Sequence, residues 1–153
     1  EGRLLARAAE SQGIATHAID GDVTALWYDD LYHRWKGGPA PIVGLTAASS
    51  LFCLEQLAWK VERRVVFRAD HRQRADGRVD HALAGPSPLQ PMLAALQGDV
   101  AWPLASASAI QALPSALRPG VRFQGRTVGP SLSGSKDWEE PLATWAITLK
   151  PPV

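Results

Sequence analysis

The chain has a single cysteine, a single methionine, no long apolar run and almost no net charge. One cysteine, Cys53, excludes an intrachain disulfide, so oxidising and reducing compartments are equally allowed. No apolar run approaches the roughly 18 residues that a membrane span needs. The 16 basic and 15 acidic residues nearly cancel, so no global field attracts nucleic acid or an acidic surface. We therefore expect a soluble protein, cytoplasmic or exported, with no membrane span and no nucleic-acid partner.

The common nucleotide-binding, metalloprotease and zinc motifs are missing as well. The sequence has no G-x-x-x-x-G-K-[ST], no G-x-G-x-x-G and no H-E-x-x-H. It has no paired cysteine and histidine set, which excludes a structural zinc of the usual kind. Residues 129–134 have the wrong spacing for the nucleophile elbow of a hydrolase. No cofactor follows from any motif, and we assign no metal ligand.

The composition that remains is that of one compact domain. Hydrophobic residues make up 46% of the 153 residues and charged residues 20%, which is enough apolar content for a real core. We expect residues 1–153 to form a single α/β domain. Because the chain begins at Glu1 and a helical pattern starts at Arg3, we also expect that an upstream segment was removed by processing or truncation.

Alternating helix and strand patterns predict the fold class. Residues 14–19, 41–46 and 64–70 have the patterns of short strands, and apolar helical patterns lie between them. A strand, a helix of about a dozen residues and a second strand form a crossover unit, which favours a parallel pair. The sequence therefore predicts an α/β fold with an open mixed sheet. Its first three strands would be parallel, with crossover helices, and its strands toward the C-terminus antiparallel.

The later strands are predicted from turn signals. Asp76-Gly77 marks a tight two-residue turn, so residues 79–84 should pair antiparallel with the preceding strand and place His81 opposite Arg72. Residues 121–128 and 142–149 are the last strand candidates, and residues 129–140 form a loop between them.

Core positions are predicted from helical spacing. The helix that follows Asp22 repeats apolar side chains at steps of four. The helix over residues 47–61 is apolar almost all round, so Cys53 should be buried and inert. We predict that the core includes Val23, Trp27, Leu31, Trp35, Trp59 and Trp145.

A ligand site is predicted at the ends of the parallel strands, where ligands bind in open α/β sheets. Thr46, Ser49 and Ser50 surround the start of a helix, where free amides and the helix dipole favour an anion. Asp22 follows the first strand and joins this ligand-binding set. The alternative is that Thr46 or Ser49 only caps the helix.

A catalytic set is predicted at the same edge. Asp70 and His71 end the third strand, and Asp20 ends the first. Together with Asp22, these groups suit proton transfer or a hard divalent cation. The structural alternative is that Asp22 caps its helix and Asp70 pairs with a nearby arginine.

Three function hypotheses follow from the sequence. The first is a binding or accessory domain that holds a small, anionic ligand at the carboxyl edge of its parallel strands. The second is a small hydrolase-like enzyme that uses Asp70 and His71 with Asp20 or Asp22. The third is a protein-interaction subunit that exposes Trp102 and Trp138. The sequence leaves the oligomeric state open.

Overall fold

The computed structural model describes residues 2–19, 22–38, 40–89, 96, 102–116, 123–132 and 140–149. The helices are α1 (Gly2–Ser11), α2 (Val23–Leu26), α3 (Tyr32–Gly37), α4 (Ala48–Trp59) and α5 (Trp102–Ala116). A π-helical turn, Trp27–Leu31, joins α2 to α3, and a short 3₁₀ turn covers Ser87–Leu89. The strands are β1 (Ile42–Ala47), β2 (Arg63–Gln73), β3 (Arg78–Pro86), β4 (Phe123–Leu132) and β5 (Leu142–Leu149).

The five strands form one sheet in the order β1-β5-β2-β3-β4, and every neighbouring pair is antiparallel. The predicted sheet with three parallel strands is therefore wrong. Since β1 and β2 are both antiparallel to β5, they do point the same way, as a crossover through α4 requires. However, β5 lies between them. The crossover pattern determines the direction of two strands, but it does not make them neighbours.

The first predicted strand, residues 14–19, is not a strand. This segment forms no sheet ladder and connects α1 to the helical segment that begins at Val23. Ile14 packs against a core cluster that includes Leu5 of α1, whereas Ile19 packs against a second cluster. The apolar residues that resemble a strand pattern instead belong to a connecting segment, which passes from one face of the sheet to the other and packs against the core on each side.

The two core clusters lie on opposite faces of the sheet. In β5, Ala146 belongs to the cluster formed with α1 and α5, whereas Trp145 and Ile147 belong to the cluster formed with α2, α3 and α4. Adjacent residues of a strand point to opposite faces, so the helices form a layer on each side. The architecture is an antiparallel sheet between two helical layers.

The helical segment from Val23 to Gly37 buries the predicted stripe of four side chains, which confirms this part of the core: Val23, Trp27, Leu31 and Trp35. On an α-helix, each step of four overshoots a full turn by about 40°. The π-helical turn in the middle has more residues per turn and removes part of this drift. The four side chains therefore stay on one side.

Two core predictions on α4 are wrong. Trp59 is 51% exposed and Cys53 is exposed, whereas Leu51, Leu54 and Ala58 are buried. The helix contacts the sheet with one face only, so its other face stays in solvent although its sequence is apolar almost all round. Trp145, in contrast, is buried as predicted.

The hairpin between β2 and β3 forms as predicted, but its register differs by one residue. The amide of Arg74 donates to the carbonyl of Arg78 (2.8 Å), and the amide of Gly77 donates to the carbonyl of Arg74 (3.0 Å). Gly77 has a φ of 78°, which suits the last position of a three-residue loop. The extra loop residue places His81 opposite His71 instead of Arg72.

Candidate functional site

The predicted edge is not formed by neighbouring parallel strands, because β5 lies between β1 and β2 and residues 14–19 are not a strand. Thr46 and Asp70 are nevertheless level with each other, since both are paired with Ala143 of β5, one on each side of it.

Asp20 lies outside the described residues. The Asp22 carboxylate accepts hydrogen bonds from the amides of Thr24 (2.8 Å) and Ala25 (3.4 Å), so it caps α2. Asp22 also lines a cleft of about 610 Å³ whose walls carry charges of both signs, including Asp29 and Arg34.

Two of the three predicted hydroxyl groups at the start of α4 form hydrogen bonds to other side chains. Thr46 accepts a hydrogen bond from the indole Nε1 of Trp145 (3.1 Å). The Ser49 hydroxyl donates to the Glu140 carboxylate (2.9 Å). Ser50 is half-buried in the first turn of α4. Because a carboxylate already stands beside Ser49, an anion that binds here would have to displace it, and the predicted anion site stays a prediction.

Asp70 and His71 are separated by the sheet itself. As neighbours in β2, they point to opposite faces. Asp70 lies on the α4 side, where it forms an ion pair with Arg68 (2.9 Å), and Arg68 also approaches Glu55 at 4.0 Å. His71 is fully buried on the α5 side. Asp70 is therefore paired with an arginine, as the structural alternative expected, and its side chain does not meet that of His71.

His71 instead belongs to a buried polar cluster on the α5 side of the sheet. Its Nδ1 lies 2.7 Å from Nδ1 of His81, and its Nε2 lies 2.8 Å from the Thr144 hydroxyl. The ring of Trp102 stacks on the His71 ring, with centroids 3.9 Å apart and planes at 28°. All four side chains are inaccessible to solvent. We call these residues the histidine cluster.

Burial determines the charge of the histidine cluster. It lowers the pKa of His71 well below its usual value, and the neighbouring His81 lowers it further. Burial also lowers the pKa of His81, to about 4, although Asp80 partly opposes this effect. Both imidazoles are therefore neutral at pH 7. Without access from solvent, the cluster cannot act on a substrate in this conformation.

The outer face of α4 is the second notable feature. Its exposed residues recur at helical spacing and form one stripe: Ser49, Phe52, Cys53, Gln56, Trp59 and Lys60. Phe52 is 61% exposed and Trp59 is 51% exposed. The guanidinium of Arg64 lies 5.7 Å from the centre of the Trp59 ring. Large aromatic side chains at this spacing on one face are typical of contact surfaces.

The two ends of this stripe carry opposite charges. Glu140 lies at the N-terminal end through its hydrogen bond to Ser49, and Lys60 and Arg64 lie at the C-terminal end. Within the described ranges, no ion pair joins Lys60 or Arg64 to an acidic residue. This distribution also suits the helix dipole, so the charges alone do not indicate a partner. The helix dipole does not account for the exposure of the Phe52 and Trp59 rings.

The interaction hypothesis named two other tryptophans. Trp102 is fully buried in the histidine cluster, so it cannot form an exposed contact surface. Trp138 lies outside the described residues.

Searches for other kinds of site add no assignment. In the part of the chain that the structure describes, no group of three or more His, Cys, Asp or Glu side chains could hold a metal ion. No described helix is both long and apolar enough to span a bilayer. Comparison of the chain with protein-family models, with curated proteins and with solved structures gave no match.

Sequence reasoning missed both the histidine cluster and the aromatic stripe, although each left a signal. Gln56 and Lys60 mark the solvent side of α4, and Phe52 stands one turn before Gln56 on that side. The predicted two-residue turn places His81 opposite Arg72, and a loop with one more residue places it opposite His71. Both signals become decisive only when the position of the helix and the strand register are known.

Proposed function

We propose that this domain is a protein-interaction module that associates with a second copy of itself through the outer face of α4. The observation that carries the proposal is the exposure of Phe52 and Trp59 on one face of the same helix. They are seven positions apart, so they lie two turns apart, at about 10 Å along the axis. Apolar rings of this size lose unfavourable hydration when a partner covers them.

A second copy is the partner that fits the charges of this face. In an antiparallel pair of α4 helices related by a two-fold axis near Gln56, Phe52 of each copy lies beside Trp59 of the other. The same symmetry brings the Glu140 end of one stripe next to the Lys60 and Arg64 end of the other, twice. The carboxylate that accepts from Ser49 then faces cations that have no acidic partner among the described residues.

The size of the face predicts a weak dimer. A single pair of three-turn helices buries less than the roughly 1,200–2,000 Å² of a standard stable interface. We therefore expect a dissociation constant of about 10–100 µM, which corresponds to roughly 5–7 kcal/mol of association free energy. Oppositely charged ends add specificity and orientation more than affinity.

Sedimentation velocity tests the proposal directly. Between about 1 and 500 µM, a range chosen to bracket micromolar affinity, the mass should rise from 16.5 kDa toward twice that value. Phe52→Ser and Trp59→Ser should each keep the chain monomeric. Tyr28→Ser is the matched control, because Tyr28 is 64% exposed but lies on another helical segment.

Charge reversal tests the orientation. Lys60→Glu should weaken association because it places two carboxylates together, and Glu140→Lys added to it should restore association. A chain that stays monomeric at about 500 µM, well above micromolar dissociation constants, would rule out the self-association. If Phe52→Ser and Trp59→Ser both leave the dimer intact, this face is ruled out. If adding Glu140→Lys does not restore the association that Lys60→Glu weakens, the antiparallel arrangement is ruled out.

A further inference from the structure

The histidine cluster suggests a second property, because it puts two titratable rings in a place where charge is poorly tolerated. His71 and His81 face each other from neighbouring strands, both fully buried. Each neutral imidazole carries one N–H, so one Nδ1 donates across the 2.7 Å contact and the other accepts. The Thr144 hydroxyl accepts from or donates to Nε2 of His71, whichever the tautomer requires.

Protonation disturbs this arrangement in two steps. One added proton keeps the N–H···N bond but places a positive charge in the core, where it loses its hydration. A cation–π contact with Trp102 offsets part of that loss. A second proton leaves two N–H groups pointing at each other at 2.7 Å, which breaks the bond. The neutral pair is therefore the only form that the closed core accommodates well.

Few charged groups near the pair can compensate. On β3, Asp80 follows Val79 and precedes His81, and it approaches Arg74 at 3.6 Å. On β2, the neighbours of His71 are Asp70 and Arg72, which point to the other face. On β5, Leu142 is paired with His71 and Thr144 contacts its Nε2, and neither is charged. Helix α5 has no charged residue in its sequence. In β4, the register places Arg126 opposite Leu83, two residues beyond His81.

Helix α5 is the element that protonation would displace most easily. The strands around the pair are joined by antiparallel ladders, which cover residues 68–73 of β2 toward β3 and residues 63–71 of β2 toward β5. In contrast, α5 covers the pair with apolar side chains, with Trp102 directly on His71 and with Ile110 and Leu113 further along. Movement of this helix away from the sheet would expose the imidazoles to water without breaking a strand pairing.

We propose that His71 and His81 form an acid-sensitive latch that holds α5 against the sheet when both rings are neutral and releases it when they take up protons. Burial lowers the pKa of both histidines below the value of about 6.5 that they have in an open state. The open state therefore binds more protons, so the closed state loses stability as the pH falls below 6.5, and this loss continues down to the folded-state pKa values.

Hydrogen exchange of the intact protein tests the latch. From the pKa of about 4 for His81, the opening equilibrium should rise about twentyfold between pH 7 and pH 5, before His71 adds its share. After correction for the intrinsic pH dependence of exchange, residues 102–116 should lose at least this much protection. Residues 48–59 of α4, on the opposite face, should lose less than a third as much.

Two variants isolate the histidines from other acid effects. The double variant His71→Leu, His81→Leu should remove the extra loss of protection in residues 102–116 at low pH. The control double variant His17→Gln, His33→Gln, at two exposed histidines, should leave that loss unchanged. Nitrogen shifts of the imidazole rings in the unmodified protein provide a readout that needs no variant: both buried rings should remain neutral down to pH 5.5. Equal loss of protection in α4 and α5, or a buried ring that is charged at pH 6, would overturn the latch.

Discussion

Replacing Gly44 with alanine should destabilise the protein because the ring of Trp145 lies directly over this glycine. Gly44 of β1 and Trp145 of β5 are partners in the antiparallel register. An added Cβ would lie 2.4 Å from Cζ2 and 2.7 Å from Cε2 of the indole, far inside van der Waals contact. The ring would have to move by about 1 Å to reach an ordinary carbon–carbon separation of roughly 3.5 Å.

The size of the effect follows from what that movement breaks. Trp145 is buried in the core cluster with α4, and overpacking such a site costs about 1–3 kcal/mol. The movement also weakens the hydrogen bond from its Nε1 to Thr46, with a loss of about 1 kcal/mol. Alanine regains roughly 0.5–1 kcal/mol because it is less flexible than glycine in the unfolded chain. We expect a net loss of about 2 kcal/mol.

Urea denaturation at pH 7 measures this loss. With a slope of about 2 kcal/mol per molar, the midpoint of Gly44→Ala should fall by about 1 M. Gly37→Ala is the matched control, since nothing lies within 4 Å of a Cβ at this helical position. It should be neutral or stabilising by up to about 1 kcal/mol.

A second substitution identifies the clash as the cause. Trp145→Phe shortens the ring, so Gly44→Ala should cost less in that background than in the native one, with a coupling of at least about 1 kcal/mol. A loss below about 0.5 kcal/mol for Gly44→Ala alone, which is the usual scatter of surface substitutions, would show that Trp145 does not lie over Gly44.

Three further outcomes test local features of the chain. Asp22→Ala should lower the free energy of unfolding by about 1 kcal/mol through loss of the α2 cap, whereas Asp22→Asn should keep most of it. Glu62→Gly should raise that free energy by up to about 1 kcal/mol, because Glu62 has a φ of 59°, and Glu62→Ala should give no gain. Cys53 should react with a thiol reagent at nearly its unfolded rate in dilute native protein and more slowly as the concentration rises toward the dimer range.

Local interactions explain the parts of the fold that the sequence predicted well. The strand expected over residues 142–149 is Leu142–Leu149. Asp22 caps α2, and the β2–β3 hairpin forms around Gly77. Caps and turns involve residues close in sequence, so residue type alone indicates them.

The candidate site was less predictable because it depends on distant contacts. The proposed strand-end edge needed three neighbouring parallel strands, but residues 14–19 are not a strand and β5 lies between β1 and β2. The conclusion that Cys53 and Trp59 are buried assumed that an apolar helix is covered all round. Only the packing of α4 against one face of the sheet shows which side is left open.

The sequence by itself determined where most helices and strands lie, how several of them begin and end, and that β1 and β2 run in the same direction. Tertiary structure alone decided that β5 separates those strands and that His71 meets His81. A strand alternates faces at every residue, so one extra residue in a hairpin loop exchanges one cross-strand partner for another. The local sequence of β1 and β2 does not show that β5, which is almost a hundred residues from β1, lies between them. The same alternation of apolar side chains would fit β1 next to β2 or β1 next to β5.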